Sequence, residues 1–205
     1  MSITIIGKGK TDSFTQKDTG VSHTQDLILD LDVDDEVSSI NIRDIPSGYD
    51  DLVVEYYNFF TVSGTGSGEM IINNQKDLGS YIYVVKELDS TPSIATASIT
   101  SSFSSAFGAN SSTAYRLIQA SPGGSDVNLS DSGFLKIRIL NYDSFSQTKR
   151  IEAEGHYSLG IRFYQGIYMS KNRVNSIQFL SDTALKSEKS IGRQKIKVYG
   201  VRYAV

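Results

Sequence analysis

The sequence predicts an all-β protein, a β-sandwich or jelly roll with an extended N-terminal arm. Apolar and polar residues alternate through about a dozen short segments, as they do in strands with one buried face. The composition is rich in Ser, Thr, Gly and Tyr and contains neither Trp nor Cys. Only Thr183–Lys189 has the pattern of a helical turn. A chain of many short strands without long helices predicts a sandwich or jelly roll.

The stretch from Ile42 to Phe60 organises the prediction. Pro46 has the φ that the second position of a type I or II turn requires, and Gly48 tolerates a positive φ. From Leu52 to Phe60 the residues are mostly β-branched or aromatic, and Glu55 is the one charge. This run therefore predicts a strand against which the others pair.

The remaining strands follow from alternation and from turn residues between the segments. The clearest is Phe134–Tyr142, in which Leu135, Ile137 and Ile139 alternate with Lys136 and Arg138. The complete set of predicted strands is 2–6, 27–33, 37–43, 52–60, 69–73, 80–86, 113–119, 134–142, 149–154, 155–164, 174–179 and 195–203.

Two regions are predicted along the chain. Residues 1–36 are an N-terminal arm and an anchoring strand, because Gly7–Thr24 is polar and aperiodic and only 27–33 alternates. Residues 1–25 carry too few apolar side chains to hold a core and are expected to be ordered mainly by a partner. Residues 37–205 form the sandwich, in which 87–112 and 120–132 are long surface loops.

Charge and hydropathy exclude several classes of partner. The net charge is −3, with 20 basic and 23 acidic residues, so no nucleic-acid partner and no anionic membrane surface is predicted. No apolar run approaches the ~20 residues that span a bilayer. The N-terminus lacks the charged and apolar regions of a signal peptide, and we expect a soluble protein made in a cytoplasm.

No metal or cofactor is predicted. Asp30, Asp32 and Asp34 place oxygens at alternate positions as a calcium loop does, in the acidic segment 30–36. The glycine of the EF-hand loop is missing and its twelfth position is Asn41. An acidic outer strand face that runs into a turn explains the pattern equally well. Gly64–Gly68 lacks the Lys-Ser/Thr ending or following helix of a phosphate loop and predicts a hairpin tip.

No catalytic site is predicted either, and the protein is expected not to be an enzyme. The only histidines are His23 and His156, and no nucleophile elbow is present. Glu152 and Glu154 lie two residues apart, and carboxylate spacing alone does not exclude a glycosidase pair. Paired acids on an exposed strand face are the commoner explanation.

Aromatic residues are better candidates than the acidic residues for contacts with a host surface or a partner protein. Tyr at strand ends and in loops is typical of interfaces and of carbohydrate stacking. The alternative is a core filled with Tyr in place of Leu. The candidate host- or partner-contact residues are Phe103, Phe107, Tyr115, Tyr142 and Tyr168.

Four segments, in order, resemble a group of tailed-bacteriophage virion structural proteins. The resemblance covers roughly residues 37–205, and residues 1–36 and the Ser-rich loops depart from it. The segments are the turn at 45–53, the strand at 134–139 followed by Asn141-Tyr142, the segment 174–179, and the final strand at 196–202.

The resemblance implies a jelly-roll domain on a phage particle, in a tail fibre, a baseplate fibre or a head decoration, often as a homotrimer. The implied partners are other virion proteins, and the implied location is the virion. A tail or fibre component is the first expectation. A capsid decoration protein and a carbohydrate-binding adhesin for a host surface glycan are the alternatives.

Overall fold

The computed structural model describes residues 2–6, 13–18, 21–33, 37–59, 68–77, 80–89, 115–118, 133–157, 160–185 and 194–203. No helix occurs among these residues, and the all-β prediction is confirmed. The strands are β1 (Ser2–Ile6), β2 (Ser13–Asp18), β3 (Val21–Val33), β4 (Val37–Arg43), β5 (Asp51–Phe59), β6 (Gly68–Ile72), β7 (Tyr81–Asp89), β8 (Tyr115–Ile118), β9 (Gly133–Leu140), β10 (Lys149–Tyr157), β11 (Gly160–Tyr168), β12 (Ile177–Leu185) and β13 (Gln194–Tyr203).

The strands form two sheets. The larger has the order β2-β3-β13-β5-β9-β10-β11-β7, and the smaller has the order β1-β4-β12-β6-β8. Every pairing is antiparallel except that of β1 with β4. The quartets β3-β13-β5-β9 and β4-β12-β6-β8 follow the strand order of a jelly roll. Strands β10, β11 and β7 extend the larger sheet beyond β9.

The core lies between the two sheets and is rich in tyrosine. Ile40, Ile42 and Phe179 of the smaller sheet pack with Val54 and Tyr56 of the larger one. The rings of Tyr56 and Phe179 meet edge to face, with centroids 5.4 Å apart. Because tyrosine hydroxyls need partners when they are buried, the core depends on hydrogen bonds. Tyr56, for example, donates to Gln194 Oε1 at 2.6 Å.

The sandwich includes residues on the N-terminal side of position 37. Strand β3 pairs with β13 from His23 to Val33, and Ile28 and Val33 belong to the core. The register shifts where Val198 pairs with Leu29 and Tyr199 pairs with Leu27. Ile28 is therefore the extra residue of a β-bulge, and the bulge turns it inward against the simple alternation of this strand. The anchoring strand predicted within 1–36 is thus a paired member of the larger sheet.

Several strand boundaries differ from the prediction, and three of them have a clear cause. Strand β12 continues through Leu185, so residues 183–185 are extended where a helical turn was considered. Val174–Ser176 precedes β12 as a loop, because its backbone groups bond to Tyr142 and Asn73 rather than to a neighbouring strand. Strand β10 runs to Tyr157, beyond the break predicted after Glu154. In each case pairing with a neighbouring segment decides the boundary.

The antiparallel order sets the two ends of the sandwich. The β4–β5, β6–β7, β9–β10 and β11–β12 connections lie at one end, together with the end of β13 at Tyr203. Strand ends at Val33, Phe59, Asp89 and Leu185 lie at the opposite end. Residues 90–114 and 119–132, which include most of the predicted long loops, lie outside the described residues.

We expect the buried tyrosines to make the protein unstable at high pH. Burial raises the pKa of Tyr56, Tyr81 and Tyr142 above the ordinary value of 10.0. As the pH rises, the unfolded chain therefore releases these protons before the folded chain does. The contribution of the three phenols to the free energy of unfolding is fully present below about pH 10 and is lost as the pH rises above it. Urea unfolding at about pH 9 and about pH 11, with tyrosinate absorbance recorded in parallel, measures this. Equal free energies of unfolding at the two pH values would contradict the expectation.

Candidate interaction site

Four connections meet at one end of the sandwich, which we call the loop end: residues 44–50, 73–77, 141–148 and 169–176. Left-handed backbone conformations begin three of these loops, at Asp44 (φ 54°), Asn73 (φ 52°) and Asn141 (φ 58°). Asp and Asn adopt this conformation more readily than other residues with a side chain. The positive φ predicted for Gly48 is confirmed at 93°.

Tyr142 joins three of the loops. Its hydroxyl donates to the carbonyl of Pro46 at 2.7 Å and accepts the N–H of Tyr49 at 3.3 Å. Its backbone carbonyl accepts the N–H of Val174 at 2.8 Å. The side chain is fully buried. A single phenol thus bonds to two backbone groups of the 44–50 turn, of which the Tyr49 N–H is buried.

Asp143 and Arg173 add a charged link between the same loops. Asp143 Oδ2 accepts the N–H of Gly48 at 2.8 Å. Arg173 Nε lies 3.6 Å from Asp143 Oδ1, and its Nη2 donates to the carbonyl of Ile45 at 3.2 Å. The ion pair is partly exposed, so its main effect is to hold the turn in place.

Asn73 connects the remaining loop. Its Oδ1 accepts the N–H groups of Asn175 and Ser176 at 2.8 and 3.2 Å. Its Nδ2 donates to the carbonyl of Arg173 at 2.6 Å. All three polar contacts of one amide therefore go to the segment that precedes β12, which explains why this segment is ordered without being a strand.

The end of β13 is attached to the same turn through Arg202. The guanidinium lies 4.3 Å from the centroid of the Tyr49 ring, a cation–π distance. Arg202 Nε donates to the carbonyl of Gly48 at 2.8 Å, and Nη1 lies 3.0 Å from Asp26 Oδ2. The Tyr49 ring also packs against Gly200 of β13. It occupies the space that a side chain at position 200 would fill.

A second cluster lies on the outer face of the larger sheet. Asp51 is almost fully buried; its Oδ2 pairs with Arg138 Nη2 at 2.8 Å and also accepts the Tyr203 hydroxyl. Its Oδ1 accepts the N–H of Asn141 at 3.1 Å. Burial and the neighbouring Asp51 carboxylate raise the pKa of Tyr203. The cluster fixes β13 to β5 and β9, and its charges are mutually neutralised.

Lys149 is a buried cation with backbone partners. Its ammonium donates to the carbonyls of Ser144, Gln147 (2.8 Å) and Lys171 (3.2 Å). Burial lowers the pKa of Lys149, and Asp143 partly opposes this shift. The three carbonyls belong to two loops, so the ammonium holds these loops together.

The loop that Lys149 supports exposes an aromatic side chain. Phe145 is 73% exposed, the largest value among the exposed large hydrophobic side chains of the described residues. Its neighbour Ser144 accepts the N–H groups of Ser146 and Gln147 at 3.2 and 3.1 Å, which stabilises a tight turn. The aromatic ring is therefore presented on a well-supported loop.

We expect Tyr142→Phe to lower the free energy of unfolding by about 1–2 kcal/mol, because its hydroxyl bonds to two backbone groups of the 44–50 turn. Tyr168→Phe is a matched control. Tyr168 is equally buried, but its hydroxyl makes no hydrogen bond, although Ser170 and Asn73 lie nearby. Removing it should be neutral or stabilising. Urea unfolding of both variants measures the difference, and a larger loss for Tyr168→Phe would contradict the assignment.

The structure corrects part of the predicted contact surface. Tyr142 and Tyr168 are fully buried and therefore offer no area to a glycan or a partner; they are core residues, as the alternative stated. Tyr168 stacks on Tyr81, with ring centroids 5.3 Å apart. Tyr115 begins β8, and its side chain is not described. Phe103 and Phe107 lie outside the described residues.

The acidic candidates are paired with bases. Lys195 Nζ lies 2.8 Å from Asp30 Oδ1 and 3.6 Å from Asp32 Oδ1, so the two carboxylates share one ammonium; residues 34–36 lie outside the described residues. Glu152 pairs with Arg150 at 2.9 Å. Glu154 stands at the end of a cross-strand row of alternating charge, which reads Asp30, Lys197, Glu55, Lys136 and Glu154. In such a row each charged side chain has an opposite charge beside it on a neighbouring strand.

Neither a metal centre nor a membrane-spanning helix is found in the described part of the chain. No group of three or more His, Asp or Glu side chains there could hold a metal ion. No helix there is long and apolar enough to cross a bilayer. For His23 and His156 only the strand backbone is described.

Lys149 and Phe145 were not among the residues predicted from the sequence. The signal for Lys149 was its position in phase with Ile151 and Ala153, the inward-facing residues of β10. A charged residue at an inward position indicates a buried charge that needs partners. For Phe145 the sequence holds no comparable signal, since exposure of a single loop residue depends on how the loop folds.

A scan against family models, a search of curated proteins and a search of solved structures found no match for this chain.

Proposed function

We propose that this chain is a structural protein of a tailed-bacteriophage virion, a tail or fibre component that assembles with other virion proteins as a homotrimer. The basis is the resemblance of four ordered segments to such proteins. Rigid display is the proposed mechanism: the sandwich holds loops outward, while other surfaces make protein–protein contacts.

One observation carries the proposal. The four segments that bear the resemblance are distant in sequence, yet all of them contribute to the loop end or to the strands that enter it. Tyr142 bonds to Pro46 and Val174, and Arg202 bonds to Gly48. The four segments thus form one hydrogen-bonded unit at the loop end. Segments that fold together support a family resemblance better than four separate matches would. Within the unit Asp143 pairs with Arg173, and Arg202 bonds to Asp26 and to the carbonyl of Gly48.

A capsid decoration protein remains the nearest alternative, since it needs the same sandwich and a different anchor. A glycan-binding adhesin is favoured by a specific observation, the exposed Phe145 on a supported loop. Exposed aromatic rings stack on sugar faces. The adhesin alternative states what the protein binds, whereas the proposal states where on the particle it is located.

The test is to locate the protein on a particle. Antibodies against the recombinant chain are applied to purified particles of the phage that encodes it, and gold labelling is viewed by electron microscopy. Label on the tail or its fibres supports the proposal, and label over the head supports the decoration protein. Absence of the chain from purified particles by mass spectrometry overturns both. Adsorption to host cells that is blocked both by the antibody and by an excess of soluble host glycan would identify an adhesin.

A further inference from the structure

The Lys149 ammonium brings two exposed residues together at the loop end. It donates to the carbonyls of Ser144 and Lys171, which belong to different loops. Because both oxygens bond to the same nitrogen, they lie within about 6 Å of each other. Phe145 and Asn172 are the residues that follow these two carbonyls in the chain. The two residues are distant in sequence, and their backbones are neighbours in the fold.

Each of the two loops is also held by a serine of its own. Ser144 Oγ accepts the N–H groups of Ser146 and Gln147 at 3.2 and 3.1 Å. In the other loop, Ser170 Oγ accepts the N–H of Asn172 at 3.1 Å. Hydroxyls that bond to the backbone two residues ahead fix the conformation of a turn. A ligand that binds here therefore has little loop conformation to order.

The two loops expose an aromatic ring, two amides and one cation. Phe145 is 73% exposed, and Gln147, Lys171 and Asn172 are exposed as well. Within the described part of the chain, the side chains of Gln147, Lys171 and Asn172 make no hydrogen bond or ion pair. We call these four residues the Phe145 site.

The groups of the Phe145 site match those of a sugar that carries a carboxylate. An exposed aromatic ring stacks on the apolar face of a sugar, and primary amides both donate to and accept from hydroxyl groups. The Lys171 ammonium has no acidic partner among the described residues, so a carboxylate is the complementary ligand group. Arg173 of the same loop differs in this respect, because it pairs with Asp143.

Other classes of ligand fit the site less well. A protein interface of standard size covers about 800 Å² on each partner and has an apolar core. Phe145 offers one ring, and its neighbours in the chain are Ser144 and Ser146. A nucleic acid needs several cations, because its phosphates follow one another along the strand. The Phe145 site has one cation.

We propose that the Phe145 site binds an acidic glycan, a saccharide chain that contains a uronic or sialic acid. The Phe145 ring stacks on a sugar, and the Lys171 ammonium pairs with the carboxylate. The amides of Gln147 and Asn172 bond to hydroxyl groups. The inference adds a ligand to the proposed structural role and does not depend on where the protein is located on a particle.

The test applies the purified full chain to an array of oligosaccharides that contain uronic or sialic acids, with neutral oligosaccharides of the same length beside them. The tightest acidic probe is then titrated by calorimetry. We expect it to bind about tenfold more tightly than its neutral counterpart, and to bind more weakly as the salt concentration rises. Binding to no acidic probe overturns the proposal, and equal binding to neutral probes overturns the carboxylate contact.

Two pairs of variants locate the site. Phe145→Ala and Lys171→Gln should each weaken binding of the acidic probe about tenfold or more. Lys171→Gln keeps the backbone carbonyl that Lys149 needs, and it should also remove the preference for acidic over neutral probes. Phe163→Ala, at a ring that is 37% exposed on β11, and Lys136→Gln, on the outer sheet face, are the matched controls.

Both controls should bind like the wild type, and all four variants should keep the wild-type circular-dichroism spectrum. Equal losses in the two lysine variants would show a general attraction of charge and overturn the site. Unchanged binding by Phe145→Ala would overturn it as well. Antibody labelling of particles tests the location of the protein separately, so a failure there is distinguishable from each of these results.

Discussion

Lys149→Met is expected to lower the free energy of unfolding by about 3 kcal/mol, because three backbone carbonyls lose a charged donor in a buried place. Met fills a similar volume and removes the ammonium, so lost packing contributes little. The carbonyls of Ser144, Gln147 and Lys171 then remain without this partner. The two loops should separate locally, and amide exchange should rise at residues 144–148.

Lys136→Met is the matched control for this prediction. Lys136 is half exposed, and its Nζ lies 3.9 Å from Glu55 in the alternating charge row. Exposed pairs of this kind contribute about 0–1 kcal/mol, so the control should unfold close to the wild-type denaturant midpoint. Urea unfolding and hydrogen exchange of both variants measure the contrast. A Lys149→Met protein that is as stable as Lys136→Met would show that the ammonium does not hold the loops.

Gly200→Ala is expected to lower the free energy of unfolding by about 3 kcal/mol through overpacking. A Cβ at this position would lie 2.4 Å from the nearest ring atom of Tyr49 and 2.5 Å from the next two. These are the Cγ and Cδ atoms at the base of the ring, so the whole Tyr49 side chain must shift to make room. The variant should therefore displace Tyr49 and weaken the link between β13 and the 44–50 turn.

A double-mutant cycle tests the steric cause directly. Tyr49→Ala removes the ring, so Gly200→Ala should cost much less in the Tyr49→Ala background than in the wild type. Gly48→Ala separates conformational strain from overlap: its Cβ would meet no atom within 4 Å, but its φ is +93°. That variant should lose about 1 kcal/mol from backbone strain alone. Additive effects at positions 49 and 200 would refute the overlap.

The alternation of apolar residues was enough to predict the all-β class and most strands. Leu135, Ile137 and Ile139 face the core as their spacing indicates, and β9 alternates through its length. The turn at Pro46 and Gly48 was also predictable, because Pro and Gly restrict or free φ locally. These features depend on residues that are neighbours in the chain, so a sequence contains their physical cause.

The tertiary structure decided which polar and aromatic groups meet. Lys149 occupies an inward position of β10 but was not predicted to be buried, and only the folding of two loops supplied its three carbonyls. From the sequence, Tyr142 and Tyr168 could lie either on the surface or in the core. The packing of the sheets buries both. Ile28 faces the core because β3 bulges against β13. Each outcome depends on partners far apart in the chain, whose approach is set by sheet order and register rather than by local preference.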